Sequence, residues 1–125
     1  MNAEPRTVTV KLLITKQLEI DEPSWCVDPH EGAQFKRDIT HNGPEIAARV
    51  ETPHGSLDYL NAWITTAPYG IRDHQPLPLI AVDLGADIAT FDPDTLRSVT
   101  ALTRLHLDHL DALADEAERL RGGGQ

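Results

Sequence analysis

The chain has 125 residues, with 20 acidic and 11 basic side chains, a formal charge of −9 and a single cysteine. That length suits one domain, which buries roughly two-thirds of the surface its unfolded chain exposes and so folds without disulfides. The acidic excess, with Lys and Arg scattered rather than striped, has the wrong sign for gripping phosphate backbones, so no nucleic-acid partner is expected. No apolar run approaches the ~18 residues of a membrane span, no cationic-then-apolar leader opens the chain, and a lone thiol fits a reducing compartment. A cytoplasmic protein without membrane contact is expected.

Thr7 to Thr15 alternates cleanly, with Val8, Val10, Leu12 and Ile14 on one side and Thr7, Thr9, Lys11 and Thr15 on the other. A two-residue period in β-branched residues predicts a half-buried strand. Leu18 and Ile20 extend or restart it before Pro23. From residue 21 to 44 periodicity disappears, and Pro23, Pro29, Gly32, Gly43 and Pro44 punctuate the segment. That is long for a structureless connection inside a small domain, so something is expected to hold it.

Ile46–Thr52, the turn Pro53-His54-Gly55-Ser56 and Leu57–Thr65 predict a β-hairpin, with Tyr59 and Trp63 on one face and Leu60, Ala62 and Ile64 on the other. Residues 67–78, rich in proline, read as a loop. Leu79–Leu84 and Ile88–Phe91 about Gly85-Ala86-Asp87 predict a second hairpin. Asp92-Pro93 then starts a helix, a capping side chain before a proline at the first helical position. Leu96, Val99, Leu102, Leu110, Leu113, Ala117 and Leu120 form its apolar arc, opposite Arg97, Arg104, Asp108, Asp111, Asp115 and Glu118. At ~1.5 Å per residue a helix over 93–121 is about 43 Å long, more than the ~30 Å span of a small domain. Its last turns are expected to project or to pack on a second copy, so a protein partner or a homo-oligomer through this helix is the expected association. The sum is one α+β domain over residues 1–121, a mostly antiparallel sheet of four or five strands with the long helix packed on one face. The glycine-rich residues 122–125 read as a flexible tail.

The chemistry gathers in the long loop. Cys26, His30 four residues on, and His41 are good transition-metal donors, and zinc takes thiolate and imidazole at ~2.0–2.3 Å, usually as four ligands in a tetrahedron. Asp38, three before His41, is a candidate fourth ligand, with Glu22, water and His106 as the others. A carboxylate makes such a site structural; a water leaves it open for catalysis. Two readings stand beside zinc: Cys26 as a buried small hydrophobe with solvent-facing histidines, and Cys26 as a nucleophile activated by His30 or His41. Trp25 is expected to pack the loop onto the sheet, His106 to be a satisfied core residue, and His54 and His74 to lie on the surface. No phosphate-binding glycine loop, nucleophile-elbow serine or zinc-protease helix is present.

Pro23-Ser24-Trp25-Cys26-Val27-Asp28-Pro29-His30, then Asp38 and His41-Asn42-Gly43-Pro44, resemble a family of small uncharacterised actinobacterial proteins. The resemblance runs through Gly85-Ala86-Asp87 and Phe91-Asp92-Pro93, over about residues 20–120. Members often open with Cys-Pro-x-Trp-Cys and a nearby His, then another Asp/His pair; this chain has Glu22 at the first cysteine. The resemblance implies that Glu22 or Asp38 replaces that cysteine as a ligand, or that the site is lost. It brings no established activity. The function expected is therefore a zinc-clipped binding or regulatory module. A metal- or thiol-dependent enzyme and a metal-free interaction domain are the alternatives.

Overall fold

A computed structural model describes residues 5–12, 17–70 and 75–123. Strand β1 (Arg6–Lys11) pairs antiparallel with β2 (Gln17–Glu22) as a separate two-stranded sheet, setting Val8 against Ile20 and Val10 against Leu18. The alternation expected of Thr7–Thr15 holds where it is described: Val10 is buried and Val8 and Leu12 half-buried, while Thr7, Thr9 and Lys11 are exposed. Ile14 and Thr15 lie outside the described residues, as does His74. Leu18 and Ile20 belong to a new strand, not to an extension of the first.

Five further strands form one antiparallel sheet: β3 (His41–Asn42), β4 (Ile46–Thr52), β5 (Gly55–Ala67), β6 (Gln75–Asp83) and β7 (Ile88–Phe91). β5 is its axis. β4 pairs with its first half and β3 with its last residues, β6 runs along its other edge, and β7 closes the sheet beside β6. Gly55, at φ 114°, makes the tight turn between β4 and β5 that a Cβ would strain.

Two sequence expectations change here. The hairpin register shifts by one between Ile46 opposite Ala62 and Ala48 opposite Tyr59. Leu60 sits at this bulge with φ 54°. An inserted residue breaks parity, so the two-residue alternation does not run through β5 as a single face. The proline-rich stretch read as loop contributes to β6, which starts at Gln75 and includes Pro76 and Pro78. Prolines cannot donate to a ladder, and the register slips here, between Thr65 opposite Leu79 and Ala67 opposite Gln75.

The helix α1 (Pro93–Gly122) runs 30 residues, and none of those described is buried. The chain divides into two compact units, residues 1–92 carrying both sheets and residues 93–125 carrying α1. Two antiparallel sheets and one long C-terminal helix make the fold α+β. In the first unit Val10, Ile20 and Ile39 form a buried apolar cluster, with Val8, Leu12, Leu18, Ala33 and Tyr69 packed against it. Ile39 comes from the aperiodic segment and is 0% exposed. Apolar packing therefore holds that segment at one point at least, a role its sequence pattern does not announce. No described helix is long and apolar enough to cross a membrane.

Candidate metal centre

Four buried donors converge where β2, the following loop and β3 meet. Glu22 is the last residue of β2. A turn closed by the Cys26 N–H on the Pro23 carbonyl (3.1 Å) brings Cys26 back toward it. The loop is then pinned to the sheet, because the Val27 N–H donates to the Asn42 carbonyl at 2.8 Å. His30 follows in a left-handed conformation, φ 61°, held by its N–H on Asp28 Oδ1 (2.8 Å). Non-glycine residues occupy that region rarely, and here His30 is buried, 5% exposed. His41 arrives from β3, opposite Thr66 of β5.

Asn42 braces the arrangement. Its Nδ2 donates to Asp28 Oδ2 (2.7 Å) and Thr40 Oγ1 (2.9 Å), and its Oδ1 accepts from Trp63 Nε1 (3.2 Å) and Thr65 Oγ1 (2.8 Å). One amide thus fastens both sides of the loop to the central strand. Trp25, half-buried, stands edge-on to the His41 ring with centroids 6.4 Å apart.

The ligand atoms of Glu22, Cys26, His30 and His41 all lie within 4.8 Å of one another. Glu22 Oε1 is 2.6 Å from His30 Nε2, Cys26 Sγ is 3.8 Å from the same nitrogen, and His41 Nδ1 is 4.0 Å from Glu22 Oε1. Donors at ~2.0–2.3 Å from a tetrahedral ion lie about 3.3–3.8 Å apart. Two of the three spacings are close to that range, and the third is a short hydrogen bond whose proton an ion would replace. The decisive atom is His41 Nδ1, which is buried and has no hydrogen-bond partner among the described residues. Buried polar atoms left unpaired are costly and rare. An ion at the centre of the cluster would give this one a partner.

Arg6 completes the surroundings, donating to the Cys26 carbonyl (2.7 Å) and lying 3.2 Å from Glu22 Oε2. Burial raises the Glu22 pKa, but hydrogen bonds from His30 and Cys26 and the charges of His30 and Arg6 outweigh it and hold the carboxyl below its ordinary range. Burial first, then Glu22, push the Cys26 thiol up. Burial, then the neighbouring His30, push His41 down. With a carboxylate, a thiolate and two neutral imidazoles, a divalent ion would bring the buried group to zero net charge, the state a low-dielectric interior favours.

Cys26, His30 and His41 thus come together as the spacing suggests, and of the carboxylates Glu22 joins them. Asp38 does not. It is exposed on a short 3-10 turn (Lys36–Asp38), where its Oδ2 accepts the Phe35 N–H at 3.0 Å. His54 is exposed as expected. His106 and His109 are exposed on α1, their rings edge to face with centroids 6.2 Å apart, so His106 is not the core residue that the apolar arc suggested. Arg6 and Asn42 carry no sequence signal. Glu22 does, in the even spacing Glu22-x3-Cys26-x3-His30.

These features define a small protein of α+β fold with a buried Glu–Cys–His–His cluster compatible with metal binding. The chain belongs to the family described as Domain of unknown function (DUF6907), whose model matches residues 7–119. No curated protein and no solved structure matches it.

Proposed function

We propose that Glu22, Cys26, His30 and His41 hold a zinc ion that clips the segment between β2 and β4 to the sheet, in a cytoplasmic domain that serves as a binding or regulatory module. The unpaired, buried His41 Nδ1 carries this reading. The mixed sulfur, nitrogen and oxygen donors suit zinc, which takes all three without geometric preference. Four protein donors, each buried, leave no open coordination position, which favours a structural over a catalytic ion. The raised Cys26 pKa is the opposite of what activates a thiol nucleophile. Glu22 also stands where the resembling proteins often carry cysteine, so a ligand position is kept with a harder donor.

Elemental analysis of protein purified without a polyhistidine tag tests the proposal. About one equivalent of zinc is expected, falling below ~0.2 in His41→Ala and unchanged in Asp38→Ala, and cobalt substitution should give thiolate charge-transfer bands that Cys26→Ser abolishes. Metal-free protein that also fails to take up zinc or cobalt overturns it.

A further inference from the structure

The helix α1 carries a pattern that amphipathicity alone does not require. Leu96, Thr103, Leu110 and Ala117 recur every seven residues, and Val99, His106, Leu113 and Leu120 each follow three later. The alternation of three and four is unbroken along the helix. A straight α-helix drifts about 20° per heptad away from such a stripe, whereas two helices wound left-handedly keep it facing the partner. The strongly charged positions Arg97, Arg104, Asp108, Asp111, Asp115 and Glu118 all fall outside the stripe and its two flanks. Leu110 and Leu113 within it are 47% and 65% exposed in the single chain.

We propose that α1 pairs with α1 of a second copy as a parallel, in-register two-stranded coiled coil. The flanks choose the direction. Glu116 lies on one flank and Arg121, five residues later, on the other. In a parallel pair these two flanks face each other across the seam at that offset, so Glu116 meets Arg121 of the second copy, twice by symmetry. An antiparallel pair instead sets Glu116 against the uncharged start of its own flank, at Thr95 and Leu102. Within one chain Glu116 pairs with Arg119, an exposed contact of the kind that is easily shared or exchanged. Thr103 and His106 fix the register. In-register pairing sets each against its own counterpart, while a one-heptad slip buries Thr103 against Leu96 and Leu110 and His106 against Val99 and Leu113.

Sedimentation equilibrium of the full chain over a concentration series tests the pairing. A reversible dimer is expected. Leu113→Glu, in the seam, should weaken it at least about tenfold. Leu105→Glu, 54% exposed but off the seam, should leave it intact, with far-UV circular dichroism confirming helix content in both. Ala117→Cys should form an interchain disulfide on mild oxidation, since paired copies of that position face each other only in the parallel register; Ala101→Cys, on the outer face, should not. A monomer at every concentration, or equal sensitivity to both glutamates, overturns the coiled coil. A dimer that resists cross-linking at Ala117 overturns the parallel arrangement.

Discussion

His30 bears the highest local cost in the cluster, since a left-handed backbone at a side chain larger than glycine is unfavourable by about 1–2 kcal/mol. The Asp28 carboxylate offsets part of that by capturing the His30 N–H with one oxygen while the other accepts from Asn42. Arg6 acts on the other side of the group, holding one oxygen of Glu22 and leaving the second turned toward His30. It offers no ligand atom, so its contribution is to orient a donor. Outer partners of this kind typically change metal affinity 10–100-fold. If the cluster holds zinc as proposed, Arg6→Ala is expected to weaken that binding about 10–100-fold while still loading at saturating metal, measured by competition with a chromophoric chelator. Unchanged affinity would remove Arg6 from the site.

Among the elements, the segment between β2 and β4 has two separate fastenings. Ile39 inserts into the apolar cluster with Val10 and Ile20, and the donor cluster with its Asn42 brace ties the segment to β5. Truncating a fully buried isoleucine costs about 2–5 kcal/mol. Ile39→Ala should lower unfolding free energy by that amount in urea titration, in metal-loaded and metal-stripped protein alike, because the two fastenings share no atoms. A loss confined to the metal-loaded form would show that Ile39 acts through the cluster. The sheet elements were legible to different degrees for definite reasons. β1 alternates and β4 ends in a turn, so both are visible as pattern. The start of β6 was hidden by Pro76 and Pro78, which break a ladder locally without ending the strand. Nor does parity survive the inserted residue at Leu60.

At the scale of the molecule, the cluster couples folding to pH. In metal-stripped protein His41 has its pKa lowered from 6.5, so at and just below that pH the unfolded chain binds more protons than the folded one and stability falls as the solution is acidified. The lowered pKa of Glu22 acts in the same sense further down, below its ordinary 4.5. Cys26 works on the opposite limb: its thiol pKa is raised above 9.0 in the folded state, so stability is lost as pH rises beyond that value. The melting temperature of stripped protein should therefore drop on acidification from pH 7 to 5, and less so in His41→Gln, which has nothing to titrate there. Identical acid limbs in the two proteins would show that His41 is not buried neutral. Loaded protein should resist acid until protons displace the ion from its thiolate and imidazoles.

Residue chemistry and short-range pattern alone were enough for the α+β class, the helix after Asp92-Pro93 and three of the four clustered donors. Each is written locally, in a period, a cap or a spacing. Which carboxylate joins the sulfur and imidazoles was decided only in three dimensions. Asp38 is the nearer to His41 in sequence, yet its 3-10 turn spends that carboxylate on a backbone N–H. Glu22 reaches the group because β2 ends there and the chain folds back through Pro23. Such a choice depends on where a strand stops and which way a turn faces, and those are set by contacts among residues far apart along the chain.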